Sequence, residues 1–266
     1  MYAFEYQTAS SVADAASRLA AHGDAKLLAG GQTMIASMKL RLAQPSHLID
    51  LAGAADMRGI QVSATEVTLG AMSRHAEVAR SAAVQKAIPV LAKLAGGIGD
   101  RMVRNMGTIG GSVANNDPAA DYPAAVLGLN ATVRTNKRSI TADDFFLGMY
   151  ETALAEGEII TSFSFPIPRR GAYMKFKNPA SRYALVGVLV AQLADGSVRV
   201  AVTGAGPVVF RVPEMEKALT AQFAPEAVAG IKIPADGLNA DIHAQADYRA
   251  HLITVMAKRA VAAALA

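Results

Sequence analysis

Two short glycine-rich runs limit what this chain can fold into. The first is Ala29-Gly30-Gly31-Gln32-Thr33. The second is Gly107-Thr108-Ile109-Gly110-Gly111-Ser112, which closes a stretch holding six glycines between Gly96 and Gly111, with Arg101 and Arg104 among them. Each run follows apolar sequence and sets paired glycines beside a small hydroxyl residue. Glycine allows close approach of the backbone to a ligand, and successive N–H groups form a concave anion site. A plain connection does not need so many positions open to positive φ. The two runs together predict an anionic group, such as a pyrophosphate, held from two sides. Taken alone, either run also reads as a tight turn.

Composition narrows the classes. At 266 residues the chain exceeds a typical single domain, so two or three lobes are expected. Its 52% apolar content is ample for a core, although much of it is alanine, which buries little area per residue. The net charge of +4 comes from scattered Lys and Arg without a long run, which argues against nucleic-acid binding. There is no cysteine. Disulfides, cysteine-ligated clusters and thiol catalysis in this chain are thereby excluded, and a cytoplasmic setting fits. The first ten residues lack a signal-peptide pattern, and no apolar run reaches the roughly 18 residues of a membrane span.

Motifs of several enzyme classes are missing. No G-x-G-x-x-G, P-loop, nucleophile elbow or H-E-x-x-H occurs. The five histidines, His22, His47, His75, His243 and His251, have no metal-ligand spacing, and none is close in sequence to either glycine run. Asp117 and Asp121 flank Pro118, which suits turn formation better than a catalytic carboxylate pair.

Periodicity gives an α+β chain in three lobes, 1–55, 56–167 and 168–266. Ser11 and Asp14 form a variant capping box for a helix ending near Gly23. Residues 26–29 are expected as a short buried strand, 33–42 as a helix with Met34, Met38 and Leu42 on one face, and 47–51 as a strand. A hairpin at 60–62 and 67–69 follows, then helices at 74–80 and 84–95, the long glycine loop, strands at 131–135 and 158–165, and a short helix near Asp143. Pro166 and Pro168 mark a boundary. Beyond it lie strands at 173–177, 185–193 and 198–203, with Asp195-Gly196 as a hairpin turn, and helices at 214–219 and 248–265.

The two glycine runs, the Asn115-Asn116-Asp117-Pro118-Ala119-Ala120-Asp121-Tyr122-Pro123 segment and Lys175-Phe176-Lys177-Asn178-Pro179-Ala180-Ser181-Arg182-Tyr183-Ala184 occur together in one order. In this the chain resembles the FAD-binding medium subunits of the molybdenum hydroxylases. The resemblance implies a two-lobed FAD-binding fold of the vanillyl-alcohol-oxidase/PCMH type, followed by a C-terminal antiparallel sheet with helices. It implies that Ala29, Gly30, Gly31, Gln32 and Thr33 wrap the FAD pyrophosphate through backbone N–H groups and the Thr33 hydroxyl. Thr108, Ile109, Gly110, Gly111 and Ser112 do so from the other side. Asp121 matches a residue on the flavin's sugar-alcohol chain, Ile98 an apolar position near the isoalloxazine ring, and Ile160 a strand position at the ring's polar edge. Lys177 matches a cation at the pyrimidine end, with Lys175 expected on the same face. Tyr183 matches an aromatic residue beside the ring.

The resemblance assigns no catalytic residue and no metal ligand to this chain. It implies a partner small subunit with two [2Fe–2S] clusters, a molybdenum large subunit, and a dimer of heterotrimers. With no cysteine or histidine near either run, FAD is expected to bind without a covalent bond. A valine at Gly110 is expected to remove flavin and spare the fold. A self-sufficient FAD-dependent oxidoreductase and a flavin-free scaffold are the competing readings.

Overall fold

Ser11 starts the first helix, its hydroxyl accepting the Asp14 N–H at 3.1 Å, while the Asp14 carboxylate accepts the Ser10 N–H at 2.9 Å. The capping box is therefore displaced by one residue, and the helix ends at His22 rather than Gly23. The structure is a computed structural model that describes residues 1–266. The first lobe contains β1 (Glu5–Thr8), α1 (Val12–Ala21), β2 (Lys26–Leu28), α2 (Met34–Lys39) and β3 (His47–Asp50). Its strands form a parallel sheet in the order β1-β3-β2. β2 lies at the edge and is half-exposed, not buried as expected. α2 ends three residues earlier than expected. Arg41 takes a left-handed backbone there (φ 60°), which turns Leu42 out into solvent while Met38 stays buried.

The second lobe begins with the hairpin β4 (Ile60–Val62) and β5 (Glu66–Gly70). Helices α3 (His75–Arg80), α4 (Ala82–Ala87), α5 (Pro89–Gly96), α6 (Arg101–Met106), α7 (Ile109–Asn115) and α8 (Tyr122–Gly128) follow. The single helix expected at 84–95 is two, because Pro89 keeps Ile88 out of helical backbone and begins α5. The expected glycine loop is largely helical. Asp100 caps α6 by accepting the Val103 N–H at 2.8 Å, and of the six glycines between Gly96 and Gly111 only Gly99 has positive φ. The lobe closes with β6 (Thr132–Thr135), β7 (Ser139–Thr141), α9 (Ala142–Phe145), β8 (Phe146–Gly148), β9 (Glu151–Thr152) and β10 (Ile160–Pro166). β10 is the central strand of the sheet β4-β5-β10-β6-β7, and it sends Phe163 and Phe165 into the core.

The C-terminal part has β11 (Arg170–Lys177), β12 (Ala184–Gln192), β13 (Val198–Thr203), β14 (Phe210–Arg211), α10 (Pro213–Ala221), α11 (Pro225–Ala229) and α12 (Ala246–Leu265). Its strands form an antiparallel sheet in chain order. β12 is buried on both faces. Val186, Val188 and Val190 join one core with Ile253, Met256 and Ala260 of α12, while Leu189 and Ala191 join a larger core that spans the first two lobes. α8 covers that second face: a Cβ at Gly128 would lie 2.6 Å from the Leu189 side chain. Arg199 ties the layers together from within, donating to Leu127 O at 2.9 Å and Asn130 Oδ1 at 2.7 Å and pairing with Asp143.

Candidate flavin site

β2 and α2 are joined by the first glycine run. Gly31 has φ 69°, a conformation that other residues resist, and it turns the chain from strand to helix. None of the N–H groups of Gly30, Gly31, Gln32 and Thr33 is used by another backbone group. Thr33 begins α2 without a side-chain cap, so its hydroxyl is also free. A free row of backbone donors is what an anion needs.

The second run is built differently. Its residues from Ile109 onward form the first turn of α7, and their N–H groups are already taken. Ile109 donates to Ser73 O at 3.1 Å, Gly110 to Ala71 O at 2.8 Å and Ser112 to Thr108 O at 3.0 Å. Gly111 donates to the Thr108 hydroxyl at 3.1 Å. Packing against the end of β5 and the first turn of α7 thus occupy the N–H groups of this run, all but that of Thr108. Close approach, not ligand contact, explains two of the glycines. A Cβ at Gly110 would lie 2.7 Å from Ala71 O, and one at Gly30 only 2.2 Å from Met106 O. The two runs thus pack against each other, with Gly111 facing Ala29.

Beside their junction is a cavity of about 200 Å³, walled by Leu28, Ile35, Met72 and Met106 and bordered by Ala29, Gly30, Gly31 and Thr108. Asp50, Arg58 and Arg74 supply its charge.

A second cluster lies where α8 meets the C-terminal sheet. Lys175 and Asp121 form an ion pair at 2.9 Å, each side chain only 4% exposed. Tyr173 donates to Asp121 Oδ1 at 2.5 Å, and Lys175 also donates to Gly97 O at 3.0 Å, beside the half-buried Ile98. Burial pushes the Asp121 carboxyl up, against the pull of Lys175 and the Tyr173 hydroxyl. Asp121 is therefore the anchor of a buried pair.

Lys175 and Lys177 differ in burial: Lys175 is held in the pair, whereas Lys177 is exposed beside a register shift that leaves Leu185 of β12 unpaired. Lys177 still lies close enough to favour the charged form of Asp121. Tyr183 is 55% exposed, at the end of a turn that Asn178 Oδ1 organises by accepting the N–H groups of Ala180 and Ser181. Burial raises the Tyr183 hydroxyl, and the carboxylates of Asp117 and Asp121 raise it further. Asp117 itself caps the Pro118 turn, accepting the Ala119 N–H at 2.8 Å, as its sequence suggested. Ile160 is 4% exposed and packs in the main core.

Sequence reading missed Tyr173 and His75, and named Lys175 only beside Lys177. Tyr173 and Lys175 gain their role only through Asp121, 52 and 54 residues earlier in the chain. His75, distant from Gly107 in sequence, lies against it: a Cβ on Gly107 would be 2.5 Å from His75 Nε2. The expectation that no histidine approaches either run is corrected on this point, although the ring is buried and stacks at a tilt on Tyr122 with centroids 5.3 Å apart. Burial, helped by the Arg104 charge, lowers His75 to about 4. The folded state thus holds it neutral. Its contribution to stability is present above the ordinary value of 6.5 and is lost as pH falls from there toward about 4. Unfolding free energy is expected to fall by about 1.4 kcal/mol per pH unit in that window, and His75→Gln to flatten the slope in urea titrations.

Residues 2–168 match the family model described as the FAD binding domain in molybdopterin dehydrogenase. The carbon monoxide dehydrogenase medium chain of Hydrogenophaga pseudoflava is 37% identical, covering 99% of this chain and 97% of the relative. The nicotine 6-hydroxylase medium subunit of Paenarthrobacter nicotinovorans is 36% identical over 97% and 96%. Among solved structures, quinoline 2-oxidoreductase from Pseudomonas putida 86 superimposes with a TM-score of 0.89 at 29% identity, covering 99% of this chain and 97% of that one. With its free glycine-turn donors and near full-length similarity, the chain belongs to the family of FAD-binding medium subunits of molybdenum hydroxylases.

Proposed function

We propose that this chain is the FAD-carrying electron-transfer subunit of a molybdenum hydroxylase, taking electrons from [2Fe–2S] clusters of a small subunit and passing them to an external acceptor. The observation that carries the reading is the run of unused N–H groups from Gly30 to Thr33 beside an apolar cavity with cationic walls. That donor set and cavity fit a dinucleotide with an anionic centre and an apolar base. The flavin, when bound, supplies the redox chemistry. Gly30, Gly31, Gln32 and Thr33 hold the pyrophosphate, and Ala29 and Gly111 shape the wall behind it. Thr108 and Ser112 offer hydroxyls, while Ile109 and Gly110 fix the turn. Ile98, Lys177 and Tyr183 border the ring, and Asp121 sets the position of Lys175 and Gly97 beneath them. Ile160 supports the site from the core.

The same reading takes 1–55 and 56–167 as the two lobes of a PCMH-type FAD domain and 168–266 as a separate C-terminal domain. It places the chain in a cytoplasmic dimer of heterotrimers with the iron–sulfur and molybdenum subunits. No helix is long and apolar enough to cross a membrane. Isolation from the native host tests the assignment: iron and molybdenum should co-purify with the chain. A yellow chain free of both metals would favour a self-sufficient flavoprotein instead.

Lys177→Met is expected to lower the flavin reduction potential with FAD occupancy unchanged. An exposed cation beside the ring stabilises added negative charge, and each ~1.4 kcal/mol lost is about 30 mV for a two-electron couple. Redox titration checks it. An unshifted potential would remove Lys177 from the ring's surroundings.

A further inference from the structure

The cavity between the glycine runs holds an arginine that no protein group uses. Arg74 enters no ion pair. Its guanidinium makes no hydrogen bond; its backbone N–H donates to Glu77 Oε2 at 2.8 Å, and its carbonyl accepts the Glu77 and Val78 N–H groups at 3.0 and 3.1 Å. Its main chain is fixed opposite Thr108 by an antiparallel bridge, with His75 donating to Gly107 O at 3.0 Å and Ile109 to Ser73 O at 3.1 Å. The side chain thus starts from a rigid position on the wall formed by the second run.

The other charges in the cavity are more committed. Arg58 donates to Ala52 O at 2.9 Å. Asp50 accepts the Tyr6 hydroxyl and the Ala52 N–H. Two guanidinium groups against one carboxylate leave the cavity cationic.

Resting on the FAD reading above, the geometry points to Arg74 as the counter-ion of the FAD diphosphate. The first run brings two free backbone donors, Gly30 and Gly31, to one wall. On the facing wall the amides of Ile109, Gly110 and Gly111 are spent on packing and only that of Thr108 is unused, so most of the charge compensation there falls to a side chain. A guanidinium is suited to this, because its planar donors can bridge two phosphate oxygens and its charge does not titrate. Arg74 is here a binding residue for the diphosphate and has no part in the redox step.

The test is titration of the full-length apo chain with FAD and with riboflavin, which lacks the phosphates. Arg74→Gln should weaken FAD binding about tenfold to a hundredfold and leave riboflavin binding unchanged. Arg74→Lys should recover part of the loss. FAD affinity of the unmodified chain should fall with added salt, and Arg74→Gln should reduce that dependence. Gly31→Val, which should abolish FAD binding, separates the two ideas. Unchanged FAD affinity in Arg74→Gln with loss in Gly31→Val would overturn the role of Arg74 and keep the site. Unchanged affinity in both would overturn the site itself. Equal weakening of riboflavin and FAD, or a salt-independent affinity in the unmodified chain, would also overturn the counter-ion role.

Discussion

Lys175→Met is expected to destabilise the chain by about 3–5 kcal/mol, the usual cost of leaving one member of a buried ion pair alone. Both side chains of the Lys175–Asp121 pair are 4% exposed, so water cannot replace the lost partner. The variant also frees Gly97 O, to which Lys175 donates at 3.0 Å. The deficit should depend on pH. Burial already raises Asp121, and loss of the lysine removes the main influence holding it down. A carboxyl raised in the folded state binds its proton more tightly there than in the unfolded chain. The deficit is therefore smallest near the ordinary carboxylate value of 3.8 and grows as pH rises above it. Asp121→Asn added to Lys175→Met removes the stranded charge and should recover much of the loss at neutral pH. Urea unfolding of both variants checks this. A deficit independent of pH, or no recovery in the double variant, would mean that the pair does not act as described.

Gly110→Val and Gly31→Val should fail in different ways. At Gly110 the new Cβ would sit 2.7 Å from Ala71 O and 2.8 Å from Ala71 Cβ, between α7 and the end of β5. Such overpacking typically costs ~1–3 kcal/mol, and more where backbone cannot yield. The Gly110 N–H bond to Ala71 O, 2.8 Å, would have to lengthen as well. The expected result is a large fall in melting temperature, with flavin lost as a consequence. This reverses the expectation from sequence, in which the fold survives. Gly31 differs. Its Cβ would meet only side chains, Ile35 at 3.0 Å and Leu28 at 3.4 Å, but its φ of 69° disfavours a β-branched residue. The turn should reshape locally, with most of the fold kept and FAD binding lost. Melting curves and flavin content, measured together, separate the two. A stable, flavin-free Gly110→Val would restore the sequence reading.

The contrast shows what sequence could and could not convey. The longer sheet strands, the Asp195-Gly196 hairpin and the long C-terminal helix were legible because period-two and period-3.6 patterns express one buried face, whereas the short β1, β7, β8, β9 and β14 were not. The two glycine runs were legible as special backbone. The reason for each glycine was not: Gly31 answers to φ, whereas Gly30 and Gly110 answer to chain segments packed against them. Composition cannot distinguish these causes. The partner of Lys175 was hidden for a similar reason. Two lysines two residues apart look alike in sequence, and only the fold sets Lys175 against Asp121 and leaves Lys177 exposed. His75 and Gly107 meet through tertiary packing that no local pattern encodes.

The central claim is that the Ala29–Gly111 junction holds FAD without a covalent bond. Acid precipitation of the purified chain, followed by chromatographic identification of the released flavin, tests it most directly. The account predicts one FAD per chain in the supernatant and a colourless pellet. Flavin retained on the pellet, or a chain that contains none and takes up none when FAD is added, would contradict it.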